Sequence, residues 1–249
     1  MDDAQLLRYS RQILLPQIDA SGQQRLLDAR VIVFGVGGLG SPVAMYLAAA
    51  GIGRLTLVDP DQVDLSNLQR QIVHDGDSLG QNKVDSAARR LGRLNPDCQV
   101  QGIAQALDRT ALDASIRAAD LVLDCTDNFA TRFAINAACV RQRRVLISAA
   151  AIGWQGQFAV FAAHQGSGCY QCLYPPGGAE DLRCSDNGVA APLVGVLGSL
   201  QALEAVRIIG ASAAPATGRL RVLDSLHDDW RTLRLRPDPD CAICGQLQG

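Results

Sequence analysis

A glycine loop, an acidic strand end and several cationic side chains lie close together in the first third of this 249-residue chain. Gly35-x-Gly37-x-x-Gly40 follows the apolar run VIVF and precedes Ser41-Pro42. Such a loop lets backbone approach a ligand and aims the first N–H groups of a helix at phosphate oxygens. Asp59 ends the next apolar run about 20 residues on, where an acidic side chain meets ribose hydroxyls, and Pro60 biases it toward extended backbone. To this point a dinucleotide fits as well as a mononucleotide. Asn67, Arg70 and Lys83, with Arg11 in reserve, supply more donors than a pyrophosphate bridge between two nucleosides needs, which favours a triphosphate. Taken singly, Arg70 or Lys83 reads equally well as part of a solvated basic turn. Asp127, in the segment LDCTDN, falls at the end of another strand and so at the same carboxyl edge of the sheet. There it could hold Mg2+, cap the helix that starts near Asn128, or do both.

The cysteines carry a second chemistry. Cys169-x-x-Cys172 and Cys241-x-x-Cys244 have the ligand number and local spacing of a closed tetrahedral zinc site, a scaffold with no open position for catalysis. Cys184 follows a Pro/Gly-rich acidic loop and adjoins Arg183, whose charge favours thiolate, so a reactive thiol and an unreactive surface cysteine both stand open. Cys98, Cys125 and Cys139 read as small core residues. His74, His164 and His227 form no ligand spacing.

These groups need a sheet to position them. Residues 31–34, 55–58, 121–124 and 145–148 are short apolar runs without polar alternation, as in parallel strands covered on both faces. Ser41-Pro42 opens a helix that Gly51 closes, and Val84, Ala87, Ala88, Leu91 and Leu94 share a helical face that stops at Asn95-Pro96. The βαβα order predicts an α/β fold with a Rossmann-like open sheet. After Ile152 the pattern changes: residues 154–157 read as a tight turn into a strand at 158–161, with more strand-like runs at 219–223 and 232–235. The parallel N-terminal half is therefore expected to continue into antiparallel strands. Residues 188–209 read as a long helix. No linker divides the chain, and a single domain over residues 1–249 is expected.

A formal net charge of −2 with interspersed signs gives no pull toward nucleic acid or anionic lipid. The longest uncharged run, residues 187–203, falls short of the ~20 apolar residues of a membrane span and contains Pro192, Gly195 and Gly198, so it reads as a buried helix. The N-terminal segment MDDAQLLRYSRQ lacks an apolar signal core, which makes a reducing cytoplasm the expected compartment.

RYSRQILL, GVGGLG, SNLQRQ, LDCTDN, the two CxxC pairs and GSLQALEA, in that order, resemble the ThiF/MoeB/HesA family of ubiquitin-like-protein activating enzymes over essentially the whole chain. The resemblance implies adenylation of the C-terminal glycine carboxylate of a small β-grasp sulfur carrier ending in Gly-Gly, with ATP and Mg2+ consumed and pyrophosphate released. It implies that Gly35, Gly37, Gly38, Gly40, Asp59, Ser66, Asn67, Leu68, Gln69, Arg70, Lys83, Asp127 and Asn128 bind the nucleotide. Arg70, Lys83 and Asp127 would be catalytic, and Arg11 would reach the neighbouring site of a homodimer. A cysteine at the place of Cys184 is implicated in handling the activated carrier or its sulfur, with a sulfurtransferase as a further partner. Residues 1–150 would form the nucleotide-binding half and residues 151–249 the half that binds carrier and zinc. RYSRQILL, GQQRLL, INAACV, CYQCLYP and WRTLRLR lean toward members serving thiamine biosynthesis, with molybdenum-cofactor members as the alternative. An NAD-dependent oxidoreductase would tolerate loss of Arg70 or Lys83, and a non-catalytic binding module would have lost part of the polar set.

Overall fold

The computed structural model describes residues 1–175 and 188–247. Three helices, α1 (Asp3–Arg8), α2 (Ser10–Ile13) and α3 (Asp19–Asp28), lead into an alternating series. It runs β1 (Arg30–Phe34), α4 (Gly40–Ala50), β2 (Arg54–Val58), α5 (Lys83–Leu94), β3 (Gln99–Ile103), α6 (Arg109–Ala118), β4 (Leu121–Asp124), α7 (Phe129–Gln142) and β5 (Leu146–Ile152). β6 (Gln155–Phe161), α8 (Tyr170–Leu173), α9 (Ala191–Ile209), β7 (Arg219–Asp224) and β8 (Asp229–Arg234) complete the described elements. The strands form one sheet of order β3-β2-β1-β4-β5-β6-β7-β8. It is parallel from β3 to β5 and antiparallel from β5 to β8, as the change of pattern at Ile152 predicts.

The strands predicted from apolar runs are covered on both faces. Leu55, Leu57, Leu121, Leu123 and Ile147 join α4, α5 and α9 in one core cluster, while Ile32, Val122 and Leu146 join α6, α7 and α8 in the other. Each fully buried leucine contributes about 2 kcal/mol of transfer free energy. α9 has a mean hydropathy of 1.4 and the length to cross a membrane. Its Leu193, Val194, Leu197 and Ala205 are nevertheless buried in the core, as the reading of a buried helix expects. The helix crosses close behind the glycine loop, because a Cβ at Gly198 would lie 2.4 Å from the Leu39 carbonyl oxygen.

The structure moves several boundaries. β3 is absent from the sequence reading because it is an edge strand whose Gln99, Gln101 and Gly102 are exposed, so it has no apolar run. The turn before β6 is only Gly153-Trp154: Gln155 already pairs with Ile152, and Gly153 takes φ +55°. α9 starts at Ala191 instead of residue 188, since Gly188 has φ +68° and Pro192 occupies the first turn. β8 begins at Asp229, three residues early, because this edge strand carries its pairing on largely exposed residues.

Candidate active site and cysteine cluster

The glycine loop connects β1 to α4, and its glycines do different jobs. Gly35 has φ +86°, and a Cβ there would meet the Cys125 carbonyl oxygen at 2.7 Å. A Cβ on Gly40 would sit 1.9 Å from the Gly35 oxygen, and one on Gly38 would sit 2.9 Å from Val194 Cγ2. Those three permit close packing. Gly37 differs, since its Cβ would make only ordinary contact with Gln71 Nε2 at 3.5 Å. α4 starts without a side-chain cap; in its first turn Ser41 N donates to Gly37 O at 2.9 Å and Pro42 has no N–H, which leaves the Gly40 N–H as the donor available to an anion, and the buried Ser41 Oγ has no hydrogen-bond partner.

Asp59 is buried under this loop. One carboxylate oxygen accepts from Val36 N at 2.7 Å and the other from Asp61 N at 2.9 Å. Burial raises its pKa above the usual carboxylate value, while the charge of Lys83 opposes that rise. It therefore fixes the loop as well as lying where ribose hydroxyls were expected. Lys83, 8% exposed, donates from Nζ to Asp61 Oδ2 at 2.8 Å, whereas Asp61 is 65% exposed, so water screens one end of the pair. Asp61 is a site residue that sequence reasoning missed, although it lies two positions from Asp59. His74 is also built in: its ring nitrogens bond Val36 O at 3.0 Å and Ser86 Oγ at 2.9 Å.

Ser66, Asn67, Leu68, Gln69 and Arg70 follow one another along and just beyond a 3-10 turn capped by Asp64, which accepts from Ser66 N at 2.8 Å. The Ser66 hydroxyl, which donates to Asp64 at 2.6 Å, and then the Ser66 N–H hold the Asp64 carboxyl below its usual pKa. Arg70 donates to Ser66 O at 3.1 Å. The next residue, Gln71, is buried beneath Gly37 with its Oε1 unpartnered, a second orphan polar atom beside Ser41. Asp127 stands exposed after β4, beside the loop through the Gly35–Cys125 contact. Asn128, and not Asp127, caps α7, accepting from Thr131 N at 2.9 Å. The fold thus brings the glycine loop, Asp59, the 66–70 segment, Lys83 and Asp127 to one sheet edge.

Arg11 is elsewhere. α2 docks at the far end of α4, where Gln12 donates to Ala50 O at 3.0 Å and the buried Tyr9 packs against Gly51. An 11-residue helix is about 16 Å long, which keeps Arg11 away from its own chain's glycine loop. It is exposed between Leu7 and Leu14, themselves 78% and 71% exposed. Cys184 lies outside the described residues. A cleft of about 390 Å3, lined by Phe158, Leu200, Leu203, Arg207, Arg219 and Arg221, contains none of the predicted site residues.

The two CxxC pairs meet as expected. The sulfurs of Cys169, Cys172, Cys241 and Cys244 all lie within 4.8 Å of one another, with Cys169–Cys241 at 3.8 Å and Cys172–Cys244 at 3.4 Å. These separations exceed a disulfide bond and suit a tetrahedron with metal–sulfur distances of about 2.3 Å. Asn136 Nδ2 and Asp238 N each donate to a cluster sulfur, on Cys169 and Cys172, at 3.5 Å. Burial pushes the Cys169 thiol up to about 11 and raises Cys244 further, whereas at Cys241 burial is outweighed by the backbone N–H bonds from Cys244 and Ile243, which lower it; a cation at the centre would favour the thiolates of the raised pair. Four soft sulfur donors, three of them buried, fit zinc. Cys98, Cys125 and Cys139 are buried as core residues. Cys125 also donates to Gln201 Oε1 at 3.4 Å.

The sequence profile of the ThiF family matches residues 9–243, and the chain belongs to this family. It is 47% identical over 245 residues to the sulfur carrier protein ThiS adenylyltransferase of Escherichia coli K12, covering 98% of this chain and 97% of that one. It is 45% identical over 246 residues to the molybdopterin-synthase adenylyltransferase of the same organism, covering 99% of both. The crystal structure of E. coli MccB with AMPCPP and selenomethionine MccA superposes with a TM-score of 0.82 at 27% identity, covering 96% of this chain and 74% of MccB.

Proposed function

We propose that this chain is an adenylyltransferase that activates the C-terminal glycine carboxylate of a small β-grasp sulfur carrier of the ThiS type. The observation that carries the reading is the convergence of the glycine loop, Arg70, Lys83 and Asp127 at one sheet edge of a ThiF-family chain. A terminal carboxylate, with an ordinary pKa of about 3.5, is already ionised at neutral pH. Its oxygen attacks the α-phosphorus in line, the bond from that phosphorus to the bridging oxygen breaks, and acyl adenylate and pyrophosphate result. No proton has to move. The residues supply alignment and charge: the Gly40 N–H and the open face of Gly37 receive phosphate, Lys83 and Arg70 offset charge growing on the leaving pyrophosphate, and Asn67 orients the chain. Asp59 and the 66–70 segment hold the nucleoside. The exposed carboxylate of Asp127 is a hard oxygen donor suited to Mg2+, which when bound would neutralise phosphate charge.

The cysteine cluster holds structural zinc in this reading, and the C-terminal half, including its arginine-lined cleft, receives the carrier. A second copy of the chain supplies Arg11, as supported by its exposure between bare leucines. Cys184 handles the activated carrier or its sulfur, and the enzyme works in a reducing cytoplasm. A molybdopterin-synthase small subunit is the second candidate carrier, because identity to its adenylyltransferase is nearly as high.

Carrier-dependent ATP–pyrophosphate exchange tests the function. The ThiS-type carrier should support exchange, faster than the molybdopterin-synthase small subunit does. Lys83→Ala should lower the rate by about 10^3-fold, the upper range for one transition-state donor. Full-rate exchange with a carrier lacking its final glycine would overturn the proposal.

A further inference from the structure

Helix α7 carries three polar residues at four-residue intervals, Asn128, Arg132 and Asn136, which place them on one face. Arg132 and Asn136 are buried, at 5% and 1% exposure, in a helix that otherwise packs apolar side chains. The Arg132 guanidinium is fully engaged with the end of β4 and with β5. It donates to the carbonyl oxygen of Thr126, to Ala149 O at 2.9 Å and to Ser148 Oγ at 3.2 Å, and pairs with Asp124 at 3.4 Å. Asp124 grips the same turn from the other side, accepting from Thr126 N at 3.0 Å, Thr126 Oγ1 at 2.7 Å and Ser148 Oγ at 2.9 Å. Both ends of the Thr126 backbone are thus held, its N–H by Asp124 and its carbonyl by Arg132. The held carbonyl belongs to the peptide that carries Asp127.

The same face continues to the cysteine cluster. Asn136 accepts from Tyr170 N at 2.9 Å and donates to Cys169 Sγ, while the Arg132 guanidinium lies 6.0 Å from the centre of the Tyr170 ring. An arginine buried only for stability would need its charge matched. This one also turns its planar guanidinium so that Nη2 donates to two backbone carbonyls while Nη1 meets Ser148 Oγ and Asp124, which fixes geometry as well as charge.

We propose that Arg132 is a positioning residue for adenylyl transfer, holding the Thr126–Asp127 peptide so that the Asp127 carboxylate is presented at the nucleotide edge, with Asn136 anchoring the same helix to the cysteine cluster. The proposal rests on the adenylation reading. Its test is a double-mutant cycle in ATP–pyrophosphate exchange joined to amide hydrogen exchange. Arg132→Lys keeps the charge beside Asp124 and loses the planar guanidinium. It should lower kcat about tenfold, as for one or two charged hydrogen bonds, with the KM for carrier unchanged. In an Asp127→Ala background the same change should cost less than twofold, because the group it positions is gone. The Thr126 amide should exchange about tenfold faster in Arg132→Lys, while amides of β1 and β4 keep their protection.

Additive losses in the cycle, or a Thr126 amide at the wild-type rate, would overturn the positioning role. If Arg132→Lys fails to fold, Ser148→Ala removes a hydroxyl used by both Arg132 and Asp124. It should speed Thr126 exchange about threefold, and no change there overturns the proposal equally. Absence of carrier-dependent exchange in the wild type would sink the adenylation reading and with it a role in that reaction. The amide measurement would still report whether Arg132 fixes the turn.

Discussion

The glycine-loop edge and the cysteine cluster are polar sites in one sheet, and they treat their polar atoms in opposite ways. At the edge, Ser41 Oγ and Gln71 Oε1 have no partner, and Lys83 leans on a carboxylate that is mostly in water. At the cluster, four sulfurs face one another and two of them accept further N–H donors. A site that must take up and release a charged ligand at each turnover keeps donors available, at a cost in stability. A site that closes the fold has no such need, and its four sulfurs surround a centre that one ion could fill. The difference teaches that, under the proposed function, the glycine-loop edge is organised for exchange and the cysteine cluster for permanence.

The largest effect that tests this contrast comes from Cys241→Ser. A closed four-thiolate site binds metal with free energy on the order of 10 kcal/mol, and one lost ligand undoes most of it. Elemental analysis should find about one zinc per chain in the wild type and almost none in the variant, and the melting temperature should fall. Zinc-free wild type with all four thiols intact would break the comparison, leaving the cluster as four packed cysteines.

Next in size is a pair of glycine substitutions that separates scaffold from site within the loop. Gly40→Ala forces a Cβ against the Gly35 carbonyl, and such overpacking against backbone costs about 2 kcal/mol. Gly37→Ala meets nothing closer than 3.5 Å, so its stability should stay within about 0.5 kcal/mol of wild type. Binding of a non-hydrolysable ATP analogue should nevertheless weaken about tenfold in Gly37→Ala, since the methyl group occupies the face open to ligand. Denaturant melts and calorimetric titration on both variants check this. Equal stability losses with equal affinities would show that the loop makes no such division.

Much of this organisation was legible in the residues. Continuous apolar runs gave β1, β2 and β4, and the CxxC spacing gave a cluster that the fold then closed. What escaped depends on contacts between distant segments. β3 pairs at an edge through polar residues, so it lacks the hydrophobic signature of its neighbours. Asp61, Asp64 and Gln71 take their roles from partners that only the fold supplies. Arg132 and Asn136 did leave a trace, a polar pair four residues apart on an apolar helix, but nothing local says that their partners are a strand end and a cysteine. Asp59 read as a ribose ligand because of its place after β2, while its bonds to Val36 N and Asp61 N depend on a loop conformation invisible in sequence.

The smallest expected effect concerns His74, which no motif singled out and which the fold places beneath the exchange site. Val36 O can only accept, so Nε2 carries the proton, and Nδ1 accepts from Ser86; this is the neutral tautomer. Burial lowers its pKa below 6.5, the nearby charge of Lys83 lowers it further, and the bond to Val36 acts the other way. The unfolded chain therefore binds a proton at a higher pH than the folded one does. The stabilisation is complete above pH 6.5 and is lost as pH falls from there toward the depressed folded value, by at most about 1.4 kcal/mol per pH unit. His74→Gln can donate to Val36 O and accept from Ser86 without titrating. Between pH 7 and pH 5.5 the wild type should lose about 1 kcal/mol more than this variant in urea melts. Parallel pH profiles would mean that His74 is free to charge in place, and that the floor of the nucleotide edge is more open to water than its burial indicates.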